Sequence, residues 1–123
     1  MAFNQPLYHF KSDYFKSLAH PVRIRILELL RDGEKSVSEL QPHLGIELPN
    51  ISQQLAVLRA GGIIAGRKEG SSVFYSVKNP RVFKLLDVAR DLFEESLNQM
   101  VEVLEALRVE ALPDTSKGPK LKK

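Results

Sequence analysis

Apolar positions along the chain recur at two different spacings, which predict helices and strands respectively. The spacing of three or four residues occurs in four stretches, residues 7–18, 21–31, 49–60 and 79–107. This period is typical of amphipathic α-helices. Residues 63–65 and 73–77 are instead short β-branched and aromatic runs, as in strands, with a glycine-containing turn between them. The chain is therefore predicted to be mainly α with a small β-hairpin (α+β).

A further short helix is predicted from its capping residues rather than from its apolar spacing. Ser36 and Glu39 stand three residues apart, as in a capping box, where each side chain binds the backbone N–H of the other. Gly45 supplies the turn that follows. Pro42 is expected to bend or shorten this helix, because proline lacks the backbone N–H of an internal hydrogen bond. The order of elements in residues 37–77 then predicts a helix-turn-helix with a wing.

The second helix of this motif has a polar side that is predicted to enter the major groove of DNA. Its apolar residues Ile51, Leu55 and Leu58 share one side, and Gly61-Gly62 is expected to end it with a left-handed cap. The side chains predicted to contact bases are Asn50, Ser52, Gln53 and Gln54. Amides can pair with adenine, and serine adapts to either base type. The alternative is an amphipathic helix whose polar side only faces solvent.

A second set of side chains is predicted to contact the phosphate backbone. They are hydroxyls near a helix N-terminus and in the wing, and cations at the end of the recognition helix and in the wing. The set is Ser38, Arg59, Arg67, Lys68, Ser71 and Ser72. The pattern places residues 67–72 in the turn between the two strands. Arg23 and Arg25 are further candidates for phosphate contacts, although solvated surface charge is the commoner meaning for at least one of them.

The last predicted helix has a wider apolar face than one small domain can cover. Its apolar positions step by four and three residues, which gives a heptad-like seam. Burial against a second copy of the chain would cover this seam and produce a symmetric dimer. The residues of this helix predicted to lie at the dimer interface are Leu86, Phe93, Met100 and Leu104.

Composition excludes several classes of function. The 123 residues contain no cysteine, so disulfides, cysteine-based zinc sites and thiol redox sensing are excluded. No apolar run approaches a membrane span and the N-terminus is unlike a secretory signal, so a cytoplasmic protein is expected. Net charge is +3, with eight Lys/Arg against six Asp/Glu in residues 21–79 and four against seven in residues 80–112. The helix-turn-helix half is therefore basic, as double-stranded DNA binding requires.

Three segments are expected: a flexible N-terminus (residues 1–6), a winged helix-turn-helix domain with its long last helix (7–112) and a disordered basic tail (113–123). No nucleophile–base set, glycine-rich phosphate loop or metal-ligand cluster is visible. The chain is therefore predicted not to be an enzyme and to need no cofactor. A different class of function, a winged helix that binds protein instead of DNA, stays open.

Five segments of the chain resemble the ArsR/SmtB family of winged-helix transcriptional repressors. They are residues 18–27 (LAHPVRIRIL), 37–40, 50–64, 67–70 and 73–77, in family order. The resemblance implies a homodimeric repressor on a palindromic operator. It also implies that the first helix packs at the dimer interface with its aromatic residues, including Phe10 and Tyr14. Half-sites would then lie about one helical turn apart.

The resemblance raises the question of metal sensing, because many family members release DNA when they bind metal. In that family, the metal ligands are typically cysteines on the first helix of the helix-turn-helix, or histidines and carboxylates on the last helix. This chain has serines at 36 and 38 and no histidine in its last helix. His20 is expected to be structural, and His9 with Asp13 would form a poor site by ligand count. No metal is therefore predicted, with an atypical nickel or zinc site at His9 as the alternative and the inducer unknown.

Overall fold

The computed structural model describes residues 5–111, which form five helices and one three-stranded antiparallel sheet. The order is α1 (Gln5–Leu18), α2 (Pro21–Leu29), β1 (Lys35–Ser36), α3 (Val37–Leu44), α4 (Leu48–Ala60), β2 (Ile64–Glu69), β3 (Ser72–Val77) and α5 (Val82–Ala111). The predicted mainly α fold with a small β-hairpin is confirmed. Helix α1 begins two residues earlier than predicted, and the predicted tail lies outside the described residues.

Side chains from α2, α3 and α4 contribute to the core, together with residues at the ends of α1, β2 and α5. Ile26, Leu40, Ile51 and Leu58 are all fully buried, and Leu55 is 1% exposed. Burial of each such side chain contributes roughly 1.5–3 kcal/mol relative to its exposure. Because three of the five lie on one side of α4, the core fixes the rotation of that helix. The side chains that α4 presents to solvent are set in the same way.

The two glycines after α4 have different conformations. Gly62 has a φ of 74°, and its N–H donates to the carbonyl of Arg59 at 2.9 Å. The N–H of Ile63 donates to the carbonyl of Leu58 at 3.0 Å. This pair of hydrogen bonds is a Schellman cap, which needs a left-handed residue where Gly62 stands. Gly61 is right-handed, with a φ of −79°, so the predicted left-handed cap is confirmed at Gly62.

The hairpin strands are longer than predicted. Glu69 pairs with Ser72, so the connection is only Gly70 and Ser71. Gly70 has a φ of 63° at the first central position, where two-residue hairpins favour glycine. The expectation that residues 67–72 form the turn is wrong. The charged residues 67–69 belong to β2, which is an edge strand of the sheet. Exposed charges on an edge strand do not prevent its backbone from pairing.

A third strand completes the sheet in the order β1-β3-β2. Strand β1 has two residues, Lys35 opposite Tyr75 and Ser36 opposite Phe74. It was not predicted, because two residues carry no detectable alternation. The short strand joins the wing directly to the start of α3.

The chain divides into two compact units, one up to Lys84 and one from Leu85 onward. Helix α5 begins in the first unit, after a turn in which the N–H of Arg81 donates to Oδ1 of Asn79 at 3.0 Å. The residues near 79 that were predicted to begin the last helix therefore form this turn. Among residues 5–111, no helix combines the length and apolar character needed to cross a bilayer.

Candidate nucleic-acid interface

Helix α4 presents an uncharged polar surface to solvent. Pro49 lies in its first turn, as predicted, where a missing N–H costs nothing. Asn50, Ser52 and Gln53 are all exposed. These three side chains were predicted to contact bases, and they stand on the side of α4 away from the core. Their exposure lets them form hydrogen bonds with a partner, although Oδ1 of Asn50 also accepts one from within the chain.

Gln54, the fourth residue predicted to contact bases, is buried instead, with 7% of its surface exposed. Its Oε1 accepts a hydrogen bond from Nη1 of Arg23 at 2.8 Å, and its Nε2 donates to Oδ1 of Asn50 at 3.1 Å. A buried amide with both ends bonded pays no large desolvation penalty. Gln54 is thus unavailable for direct base contact. Of the two arginines at the start of α2, Arg23 is half-buried against Gln54 and Arg25 is exposed.

Helix α3 begins with the predicted capping box. Oγ of Ser36 accepts from the N–H of Glu39 at 3.3 Å, and the N–H of Ser36 donates to Oε1 of Glu39 at 2.9 Å. The helix ends at Leu44, two residues after Pro42, and Gly45 follows with a φ of 65°. The predicted shortening by proline agrees with this length of eight residues.

Three of the residues predicted to contact phosphates lie around one groove. The groove has a volume of about 250 Å³ and its lining is Ser36, Val37, Ser38, Ser71, Ser72, Val73 and Tyr75. Strand β1 causes this arrangement, because it pairs with β3 and leads directly into α3. Hydroxyls from the wing turn therefore stand near the N-terminus of α3, where N–H groups and the helix dipole favour an anion.

Arg67, predicted to contact phosphates, is committed to contacts within the chain. Its guanidinium forms ion pairs with Glu34 and Glu69 and lies 5.1 Å from the centre of the Phe74 ring. The hydrogen bond from Arg67 holds the pKa of Glu34 below its usual value, although desolvation opposes this. Two carboxylates thus compensate the charge of Arg67. These contacts join Arg67 to the loop before β1, and its predicted phosphate contact stays a prediction.

Two other predicted cations are better placed for a phosphate. Lys68 is exposed and forms no ion pair with residues 5–111. Arg59 is exposed at the end of α4, and its Cζ would lie 3.7 Å from a Cβ built on Gly66 of β2. Arg59 therefore extends from the recognition helix across the wing. Sequence spacing alone would not connect these two elements.

The histidines differ in their surroundings. Nδ1 of His20 accepts a hydrogen bond from the N–H of Val22 at 3.0 Å and so caps α2, as its predicted structural role requires. His9 lines a shallow groove with Gln5, Tyr8 and Ser12, none of which is a strong metal ligand. Within residues 5–111, no group of three or more His, Cys, Asp or Glu side chains is positioned to hold a metal ion.

Helices α1 and α5 each carry apolar side chains that are exposed in the single chain. On α1, Phe10 is 64% exposed. On α5, Phe93 is 63% exposed, Met100 56% and Leu104 56%. Leu86, also predicted to lie at an interface, is only 8% exposed, so it offers little surface to a partner. Each helix thus exposes large apolar side chains of the kind found at interaction sites.

A capped first helix, a recognition helix with an exposed polar side and a two-stranded wing together define a winged helix-turn-helix protein of the DNA-binding class. Residues 18–67 match the helix-turn-helix domain family. The chain belongs to the ArsR-type family of winged-helix transcriptional regulators, as the following relatives establish.

The chain is similar to the HTH-type transcriptional regulator Rv0081 of Mycobacterium tuberculosis. They are 48% identical over 106 residues, which cover 85% of this chain and 93% of the relative. The crystal structure of Rv0081 superposes with a TM-score of 0.70 and 46% identity, over 80% of this chain and 99% of that one. The match therefore extends over nearly all of the relative and over at least four fifths of this chain.

Two further relatives carry more specific names. The biofilm growth-associated repressor of Agrobacterium fabrum is 40% identical over 85 residues, 67% of this chain and 73% of the relative. The homodimeric winged helix-turn-helix DNA-binding domain Mb0332 of Mycobacterium bovis, a possible ArsR-family regulator, was solved by NMR. It superposes with a TM-score of 0.66 and 30% identity, over 78% of this chain and 95% of that domain.

Proposed function

We propose that this chain is a transcriptional repressor that binds a palindromic operator as a homodimer. The observation that carries the proposal is the exposed hydrogen-bonding surface of α4, formed by Asn50, Ser52 and Gln53. Uncharged donors and acceptors at the N-terminal part of a recognition helix are suited to base edges in the major groove. In this proposal the chain is a cytoplasmic, non-enzymatic protein whose partner is double-stranded DNA.

The phosphate contacts in this proposal come from both sides of α4. Hydroxyls of Ser38, Ser71 and Ser72 line the groove at the start of α3. Lys68 and Arg59 supply positive charge from the wing and from the end of α4. Such contacts fix the register of a protein on the duplex but carry no sequence information. They make the affinity fall steeply as the salt concentration rises.

The dimer is proposed because of the exposed apolar residues of α1 and α5. Four exposed residues, Phe10, Phe93, Met100 and Leu104, and the half-buried Tyr14 would be buried against a second copy. Leu86 is left out because only 8% of its surface is exposed. The homodimeric state of the related domain Mb0332 supports this choice. Two copies related by a twofold axis would meet half-sites about one helical turn apart. The unit proposed to act is residues 7–112.

The experiment that tests the function is fluorescence anisotropy with a duplex from the region upstream of the chain's own gene. Binding is expected to be salt-sensitive and stronger than binding to a scrambled duplex. Parallel titrations with nickel and zinc test the atypical metal site at His9, and unchanged affinity is expected. Equal binding to both duplexes at every salt concentration would contradict specific recognition and favour a protein partner.

Replacement of Gln53 by Ala tests the placement of the recognition surface. The change is expected to reduce discrimination at one base pair of each half-site by roughly 1–3 kcal/mol, because an amide contact to a base is lost. Gln99→Ala, an exposed position on α5, is the matched control and should leave discrimination unchanged. If Gln53→Ala changes neither affinity nor preference, the base-contacting surface lies elsewhere.

A further inference from the structure

Three side chains form a continuous hydrogen-bonded chain from α2 to the outer surface of α4. Nη1 of Arg23 donates to Oε1 of Gln54 at 2.8 Å, and Nε2 of Gln54 donates to Oδ1 of Asn50 at 3.1 Å. Nη2 of Arg23 also donates to the backbone carbonyl of Lys16 in α1, at 3.3 Å. The guanidinium is therefore held by two helices, and the chain of bonds ends at an exposed residue.

The direction of each bond follows from the chemistry of arginine. A guanidinium has five N–H donors and no acceptor. Gln54 must therefore turn its carbonyl oxygen towards Arg23, which leaves only its NH₂ group for Asn50. Asn50 must in turn present its carbonyl oxygen to Gln54. The orientation of both amides, which their shape alone does not decide, is set by one charged residue.

These hydrogen bonds determine which group of the exposed residue, Asn50, is left for a ligand. Oδ1 of Asn50 already accepts a hydrogen bond, and its Nδ2 has no hydrogen-bond partner among residues 5–111. Asn50 is exposed, whereas Gln54 is buried. The oxygen of Asn50 uses one of its two lone pairs and is turned towards Gln54. The group that Asn50 offers outward to a ligand is thus its NH₂ donor.

We propose that Arg23, acting through Gln54, fixes Asn50 as a hydrogen-bond donor that selects a keto base, guanine or thymine, in the major groove. The inference rests on the proposed DNA-binding function. Guanine O6 and thymine O4 are acceptors, whereas adenine and cytosine present amino donors at the same place. Asn50 is proposed to donate at this place and not to purine N7, which accepts in both guanine and adenine. The bidentate pairing of asparagine with adenine needs both the oxygen and the NH₂ of Asn50 to face the base. It is not expected here, because the oxygen is turned towards Gln54. Arg23 and Gln54 are positioning residues.

The substitution Gln54→Glu reverses the direction of the hydrogen bond between the side chains at positions 54 and 50, with almost no change of shape. A carboxylate only accepts hydrogen bonds, and Arg23 beside it supplies a compensating charge. Asn50 must then donate its NH₂ to Glu at position 54 and turn its oxygen outward. The preferred base at that position should change from guanine to adenine, or from thymine to cytosine, with the ratio of affinities shifting by about tenfold. Gln54→Met, which has no polar group to orient Asn50, is the matched control and should flatten the preference without reversing it.

Two measurements on the full-length chain separate the inference from the proposed function. The first is selection from a library of duplexes with randomised sequence, for the wild type and both variants. The second is NMR of the free protein, which follows exchange of the side-chain NH₂ protons of residues 50 and 54. In the wild type the NH₂ of Gln54 should be protected and that of Asn50 should exchange quickly. In Gln54→Glu the NH₂ of Asn50 should become protected.

The outcomes are distinct. A keto base that changes to an amino base in Gln54→Glu, together with the change in NH₂ protection, supports the inference. A selected sequence that is the same in wild type and Gln54→Glu overturns the inference and leaves the proposed function intact. Failure of the wild type to select any sequence overturns both. An NH₂ of Asn50 that is already protected in the free wild type overturns the orientation itself, whatever the DNA result.

Discussion

Glu34, in the loop before β1, accepts hydrogen bonds from the guanidinium of Arg67 in β2, one of them from Nε at 3.4 Å. The two residues are 33 positions apart in the sequence. Arg67 also pairs with Glu69 in its own strand and lies over the ring of Phe74. The ion pair thus ties the outer strand of the wing to the segment that leads into α3. Because Arg67 is paired in this way, we expect it and the neighbouring cation Lys68 to have different roles.

The salt dependence of DNA binding should distinguish these two roles. Lys68→Gln is expected to weaken binding to all duplexes about equally and to reduce the slope of log K against log salt by about one, because one phosphate contact is lost. The double change Arg67→Gln with Glu34→Gln preserves the net charge, and it should leave the slope unchanged. Anisotropy titrations at several salt concentrations measure both. A slope reduced equally by the two variants would mean that Arg67 contacts a phosphate.

The pH dependence of stability should also reflect the Glu34–Arg67 pair. Because the pKa of Glu34 is lowered in the folded state, the pair stabilises the fold above the ordinary glutamate pKa and loses this effect as the pH falls through the folded value. Glu34→Gln should therefore lower the melting temperature at pH 7, and the difference from wild type should vanish in acid. Glu102→Gln on α5 is the control and should show no such trend. A difference that persists at acid pH would rule out the ion pair as its cause.

Gly61 is required by packing rather than by its backbone conformation. A Cβ at this position would lie 2.8 Å from Cβ of Ser17 in α1, although the φ of −79° suits any residue. Gly61→Ala is therefore expected to lower the free energy of unfolding by about 1–3 kcal/mol through overpacking. Chemical denaturation measures the change.

Gly62 supplies a matched comparison for this prediction. A Cβ there would meet no atom within 4 Å, but its φ of 74° is unfavourable for alanine. Gly62→Ala should cost roughly 1–2 kcal/mol through backbone strain alone. Adding Ser17→Gly should recover stability in Gly61→Ala and not in Gly62→Ala. Failure to recover stability in the first case would show that the contact with Ser17 is not the cause.

Apolar spacing predicted the buried side of α4 correctly, because the burial of Ile51, Leu55 and Leu58 dominates the energy of that helix. Gln54 was placed wrongly for a physical reason. A polar residue can lie on the buried side when hydrogen-bond partners satisfy its polar groups. The partner here, Arg23, is 31 positions away in the sequence. Residue type along one helix contains no information about such a partner.

The two-stranded hairpin of the wing was predicted correctly, but the lengths of its strands were not. The aromatic and β-branched residues of β3 are typical of a strand, whereas the second half of β2 is charged and joins the sheet through backbone pairing. The groove that brings Ser38 and Ser71 together depends on β1, a strand of two residues. Capping and turn residues, by contrast, act locally, and for this reason Ser36, Pro49 and Gly62 were predicted correctly.

The proposed dimer makes a prediction about α5 that is independent of DNA. Met100 is 56% exposed on its apolar face, and a charge buried there against a second copy would cost several kcal/mol. Met100→Glu is expected to convert a dimer to a monomer in sedimentation equilibrium at micromolar concentration. The same variant should lose most of its affinity for a palindromic duplex, because a monomer contacts one half-site.

Asn98→Glu is the matched control for this change. It adds the same charge to the same helix, but two residues along an α-helix rotate the side chain by about 200°, away from the apolar face. This variant should remain dimeric and bind DNA with little change. If Met100→Glu also remains dimeric, the two copies associate through another surface. If the wild type itself sediments as a monomer, the apolar side of α5 is covered by a different partner, and the palindromic operator loses its structural basis.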